Sequence, residues 1–157
     1  MNHIEINGAL LLPCPEGFAA MTQETLQQVY TCDNPCRAGI WDRARHVMVT
    51  VLWQRYNPLL AAFADMKTLV RRNEHLTRKG YRDNDYRLDT FFSRRICDLP
   101  GEGYRFDYRL GDVAQQIETV HFKKGSVVYS LSCIGRPENR QENRVLYDAI
   151  LDGMRLK

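Results

Sequence analysis

Tyr104-Arg105-Phe106-Asp107-Tyr108-Arg109-Leu110 alternates without a break between large apolar and charged side chains. Only an extended chain puts every second residue on one face, so this segment predicts a strand with one buried and one wet side. The segments on either side also read as strands. Gly111-Asp112 turns the chain, Gln115 to Lys123 runs back, Lys124-Gly125 turns it again, and Ser126 to Ile134 forms another strand. Upstream, Tyr86 to Cys97 has strand character, and Asp98-Leu99-Pro100-Gly101-Glu102-Gly103 reads as the hairpin loop leading into Tyr104. Four consecutive strands on short turns make an antiparallel meander.

Before the meander the clearest element is a helix. Asn57 is an N-cap residue and Pro58 fits the first helical position, where its missing N–H costs nothing. Leu59, Leu60, Phe63, Met66, Leu69 and Val70 follow at helical spacing and read as a core face. Arg78 and Lys79 suit the last turn, and Gly80 closes it. Gly39 to Asp42 and Arg45 to Tyr56 read as a strand pair around Arg43-Ala44, the second strand apolar on both faces and so central. Thr22 to Tyr30 predicts a short helix capped by Thr22. Ile4 to Leu12 is extended around an Asn7-Gly8 turn, and the two prolines of Pro13 to Phe18 predict a loop. After Gly135-Arg136-Pro137 a last helix carries Val145, Leu146, Ala149 and Ile150 inward and stops at Gly153. An antiparallel sheet with helices on its faces is the natural assembly.

The 157 residues, 44% of them hydrophobic and 26% charged, fit one α+β domain spanning 1–157. Apolar stretches such as Val47 to Trp53 are strand-sized, too short to cross a bilayer. Ala9 to Leu12 has no basic region before it and is broken by Pro13 and Pro15, so no signal peptide is expected. The reading is a cytoplasmic protein without membrane contact, its Cys14, Cys32, Cys36, Cys97 and Cys133 free thiols. Cys32 and Cys36 have three residues between them, one more than a thioredoxin-type motif has, and no second pair completes a zinc set.

Charge is uneven. Residues 1–36 hold four acids and no Lys or Arg, whereas residues 37–109 hold fifteen bases against nine acids. Seventeen of the 22 bases are Arg, suited to bidentate and stacking contacts. A nucleic-acid binder is the third-ranked reading, because the arginines are interleaved with acids, as in Arg82-Asp83 and Arg105-Phe106-Asp107.

The reactive motifs fail on geometry. Glu118 and His121 fit a Glu-x-x-His metal pattern, but in a strand residues three apart face opposite ways. Lys123-Lys124-Gly125-Ser126 lacks the first glycine of a phosphate loop and reads as a hairpin tip. Asp83-Asn84-Asp85 lacks the glycine and glutamate of a calcium loop. Ser126, Ser130 and Ser132 sit in a strand without a nucleophile elbow. None of His3, His46, His75 and His121 stands beside a nucleophile, and His46 and His121 read as strand residues. No catalytic, cofactor-binding or metal-ligating residues are assigned. The types enriched at interfaces remain: Trp41, the loop with Tyr81, Arg82, Tyr86 and Arg87, and Arg105 and Arg109, which form the candidate partner-binding set.

Leu12-Pro13-Cys14-Pro15-Glu16-Gly17-Phe18 and the terminal strand and helix, from Gly125-Ser126-Val127-Val128-Tyr129-Ser130-Leu131-Ser132 to Gly153-Met154-Arg155, resemble those of the PsbP-like α/β/α sandwiches. That family includes a photosystem II extrinsic subunit, a Ran-binding import factor and bacterial DcrB-like proteins. The chain departs from it in lacking a lipoprotein signal and any Ran-binding or manganese-site signature. The resemblance implies an α/β/α sandwich around an antiparallel sheet, and a binding or assembly role without catalysis or cofactor. The favoured expectation is therefore a non-enzymatic protein docking a protein or peptide partner through one sheet face or the long helix's rim. The second is a small-molecule or lipid-binding sandwich, perhaps with weak hydrolase activity, which needs an apolar cavity beneath that helix.

Overall fold

The chain opens with a hairpin of β1 (Asn2–Ile6) and β2 (Leu10–Cys14), turned at Asn7 and Gly8, both at positive φ. The computed structural model describes residues 1–30 and 34–157. The expected loop at Pro13 is shorter than the sequence suggests. Pro13 is the next-to-last residue of β2, opposite His3, and the other neighbour of β2 reaches only Leu10 and Leu11, so its missing N–H breaks no ladder there. A two-residue β3 (Ala19–Ala20) and helix α1 (Gln23–Tyr30) follow, the latter capped as expected by Thr22 Oγ1, which accepts from Thr25 N–H at 3.1 Å.

Strands β4 (Arg37–Asp42) and β5 (Val47–Arg55) pair as read, except that His46 lies in the turn at positive φ and is exposed. The long helix is in fact two, α2 (Pro58–Phe63) and α3 (Met66–Gly80). Ala64 and Asp65 between them are extended, and Asp65 starts afresh as an N-cap, accepting from Lys67 N–H at 3.3 Å and Thr68 Oγ1 at 2.8 Å. The break also splits the expected core face. Met66 and Val70 are buried, whereas Leu59, Leu60 and Phe63 point into solvent.

The meander is β6 (Arg87–Ile96), β7 (Leu99–Leu110), β8 (Val113–Lys124) and β9 (Val127–Gly135), all antiparallel. The first hairpin is tighter than expected. Cys97 and Asp98 make the turn, both at positive φ, and Pro100, Gly101 and Gly103 are strand residues. Gly103 is in the strand because nothing larger fits: a Cβ there would lie 2.2 Å from Thr119 O and 2.5 Å from the Phe92 ring. On β7, Tyr104, Phe106 and Tyr108 are buried, but Leu110 is exposed at the strand end. A 3₁₀ turn (Pro137–Asn139), helix α4 (Arg140–Asp152) and β10 (Arg155–Leu156) close the chain. The inner face of α4 is rotated from the expected one: Tyr147, Ile150 and Leu151 are buried, while Val145 and Ala149 are exposed.

The large sheet has the order β3-β4-β5-β9-β8-β7-β6, and β10 and β1 flank β2 in a second sheet of three strands. Alternation sorts the large sheet's side chains into two layers. Val49, Val51, Val120, Phe122, Tyr129 and Leu131 pack with α4 and the three-stranded sheet. Tyr104, Phe106, Tyr108 and Ile117 face the other way and pack with Val70 of α3. This is the expected α+β sandwich with a central antiparallel sheet.

Candidate functional site

Under α3 the two ends of the sheet differ. Over β6 and β7 the helix lies on an aromatic layer in which Tyr81 packs tilted against Tyr108 (4.4 Å between ring centroids) and Tyr86 tilted against Phe106 (5.2 Å). Over β5, β9 and β8 the same face carries hydroxyls. Pairing puts Thr50 opposite Ser132 and Ser132 opposite Thr119, and one step along puts Leu52 opposite Ser130 and Ser130 opposite His121. Small polar side chains do not reach the helix, and a cleft of about 340 Å³ opens above them, walled by Tyr30, Arg37, Asn73, Leu76, Thr77 and Tyr104. It meets a second hollow of about 680 Å³ at Gln54, Asn73 and Leu76; that one is lined further out by Cys36, Trp53, Arg55, Tyr56, Leu69 and Arg72. Together they form one groove between α3 and the β4–β5 pair.

The floor hydroxyls are already hydrogen-bonded. Ser132 Oγ donates to Thr119 Oγ1 (3.1 Å), which donates to Leu131 O (3.1 Å). The Tyr30 and Thr50 hydroxyls bond at 2.5 Å, and those of Thr77 and Tyr104 at 2.9 Å. His121 Nδ1 and Ser130 Oγ share a hydrogen bond of 2.7 Å. The charged side chains lining the groove are Arg37, Arg55 and Arg72, and among the described residues no carboxylate lines it. The Arg37 guanidinium lies 3.9 Å above the Tyr30 ring.

The Ser130–His121 contact places a nucleophile type beside an imidazole, which sequence proximity did not show. The signal was in register: both residues alternate onto one face of adjacent strands. The pair lacks the parts of an acyl-transfer site. No acid orients the imidazole, since its Nε2 is buried without a partner and Glu118 faces the opposite layer, 3.0 Å from Arg105. Burial pushes the imidazole down to about 4, far below the range of an efficient base at neutral pH. Ser130 also sits mid-strand, its backbone inside the β5–β9–β8 ladder. Among the described residues no group of three or more His, Cys, Asp or Glu side chains is placed to hold a metal ion. Cys32 of the Cys32–Cys36 pair lies outside the described residues, and Cys36 is a free thiol at the groove.

The seven residues of the sequence-based partner set do not share one surface. Tyr81 and Tyr86 come together at the end of α3 but turn inward; the Tyr86 hydroxyl donates to Glu74 Oε1 at 3.1 Å. Arg82 and Arg87 are exposed nearby, and Arg109 is bound to that loop through its N–H, which donates to Asn84 O at 2.7 Å. Arg105 lies on the opposite face, over the Phe92 ring at 4.3 Å. Trp41 is on β4, toward the other edge of the sheet from β6.

The whole architecture matches known structures. The solution structure of cyanobacterial PsbP (CyanoP) from Synechocystis sp. PCC 6803 superposes with a TM-score of 0.73 at 8% identity, covering 99% of this chain and 92% of that one. The chain has a PsbP-like fold. The same PsbP-like fold relates it to PA94, a protein of unknown function from Pseudomonas aeruginosa (TM-score 0.59, 9% identity, 98% and 94% covered). It also relates it to LpqN, involved in cell envelope biogenesis of Mycobacterium tuberculosis (TM-score 0.60, 8% identity, 94% and 83% covered). No family model and no curated protein matches the sequence.

Proposed function

We propose that this PsbP-like protein is a binding protein without catalytic activity, and that it docks an acidic amphipathic segment of a partner protein in the groove between α3 and β4–β5. One observation carries the reading: among the described residues the groove is lined by three arginines, no acid, and the apolar side chains of Leu52, Leu69 and Leu76. Arginine and large apolar groups are the side chains from which interface anchors are built. The groove runs along α3 from Leu69 to Thr77, roughly 12 Å at helical rise. It is open along that length, which suits a chain segment better than a metabolite, whose pocket would enclose most of its surface. A lipid-binding role has less support, because the cavity floor beneath the helix is hydroxyl rather than apolar. Of the three structures compared above, one is of a protein involved in cell envelope biogenesis.

Selection of a displayed random-peptide library on the immobilised protein tests this. Enriched peptides are expected to combine Asp or Glu with large apolar residues, and to bind Arg72→Glu at least tenfold more weakly. Arg72 is exposed, so the variant keeps its fold. Enrichment blind to charge, or binding indifferent to R72E, overturns the proposal.

A further inference from the structure

Helix α2 displays Leu59 (67% exposed), Leu60 (66%) and Phe63 (82%) and buries only Ala61. This is not a frayed end. Asn57 Oδ1 accepts from Leu59 N–H at 2.9 Å, and Lys123 Nζ donates to Ala61 O at 2.6 Å and Ala64 O at 2.9 Å. A six-residue helix has little stability of its own, so here the rest of the protein holds three large apolar side chains outward. Such a cluster marks an interaction surface.

The surroundings indicate what covers it. Tyr56 N–H donates to Ser126 O at 2.7 Å, and Arg55 pairs with Val127, so α2 begins against the β8–β9 hairpin tip. Around α2 and the hairpin tip stand Arg55, Lys67, Lys123 and Lys124, with Asp65 at the start of α3 and Glu102, which lines a hollow together with Lys67, as acids on that side. Lys123 is committed to the carbonyls of α2 and Lys67 stands close enough to Asp65 to help lower its carboxyl, whereas Arg55 and Lys124 are exposed and form no salt bridge among the described residues. Apolar side chains ringed by cations fit the boundary between lipid headgroups and acyl chains in a bilayer with negative surface charge.

We infer that α2 and the β8–β9 hairpin tip form a peripheral docking site for an anionic membrane surface, with Leu59, Leu60 and Phe63 inserting at headgroup depth and Arg55, Lys67 and Lys124 contacting phosphate. The contact is superficial: among the described residues no helix is long and apolar enough to cross a bilayer. The site shares Arg55 with the rim of the α3 groove but none of that groove's Leu69, Arg72 or Leu76, and the insertion of Leu59, Leu60 and Phe63 does not depend on the groove taking a peptide.

Co-sedimentation with large unilamellar vesicles tests it, comparing phosphatidylglycerol and phosphatidylcholine at 40:60 with phosphatidylcholine alone. Expected are binding to the anionic vesicles only, a fall of at least fivefold between 50 and 300 mM salt, and a tenfold or greater loss in the double variant Leu60→Ser/Phe63→Ser. Lys124→Glu should weaken binding about threefold without altering the melting temperature. Absence of sedimentation, or binding that survives L60S/F63S, overturns the inference. So does a double variant that loses peptide capture instead, which would make the patch a protein interface.

Discussion

Ser130 Oγ lies 2.7 Å from His121 Nδ1 on the neighbouring strand, and the imidazole's other nitrogen is buried without a partner. Folding therefore holds this histidine neutral, well below its ordinary value of 6.5, at about 4, because burial penalises the cation. As pH falls below 6.5 the unfolded chain takes up a proton that the folded chain refuses. The stability involved is complete above pH 6.5 and drains as pH drops toward 4, by up to about 3 kcal/mol. Urea unfolding at pH 7.5 and 4.5 should show the native protein losing about 2–3 kcal/mol more than His121→Gln over that interval. Parallel losses in the two proteins would falsify the assignment.

Lys123 is the strut of α2. Replacing it with Met keeps the stem and removes two charge-assisted hydrogen bonds, to Ala61 O and Ala64 O. The expected cost is about 1–3 kcal/mol. Amide exchange should quicken across residues 58–64 while the sheet remains protected, and uniform protection would show that α2 is held by other contacts.

Gly103→Ala should be among the more damaging single-carbon additions. The new methyl would meet Thr119 O on one side and the Phe92 ring on the other. The strand must shift or the ring must leave, at about 2–3 kcal/mol. Denaturant titration measures it directly, and a change below half a kcal/mol would mean that the hairpin yields more easily than its packing indicates.

Asp98→Gly should act in the other direction. Cys97 and Asp98 both occupy the left-handed region, where a side chain costs energy that glycine does not. A two-residue hairpin turn with glycine second is the favoured solution, and a gain of about 0.5–1 kcal/mol is expected from thermal or denaturant melts. No gain would show that Asp98 makes up its backbone cost in the turn.

The meander was legible because β7 alternates strictly and short polar turns separate it from its neighbours, signals that need no tertiary information; β8, buried on both faces, carries no such alternation. The break at Ala64-Asp65 was not, because Leu59, Leu60 and Phe63 keep the same helical spacing as Met66 and Val70. Only the lysine that takes the carbonyls of α2 from across the sheet decides that the first three face water. Asp65 followed by Thr68 was the local clue to a second helix start. On α4, the choice between Val145 and Tyr147 is a rotation of the apolar arc by two positions, which composition alone leaves open. The groove was hidden for a different reason. Thr50 and Ser132 lie far apart in sequence, and only strand order makes them neighbours. The candidate arginines and tyrosines were chosen by type, and alternation then sent Arg105 to one face and Tyr104 to the other.

The self-paired hydroxyls beneath α3 have one more consequence. A guest lying on a surface whose donors and acceptors already satisfy one another gains little from matching them and loses little from failing to. Discrimination then falls to the rim, where a few exposed side chains are free to change without disturbing the ladder below. On the proposed docking role, this chain would be retargeted to new guests by altering Arg55, Arg72 and Leu76, with the ladder beneath left intact.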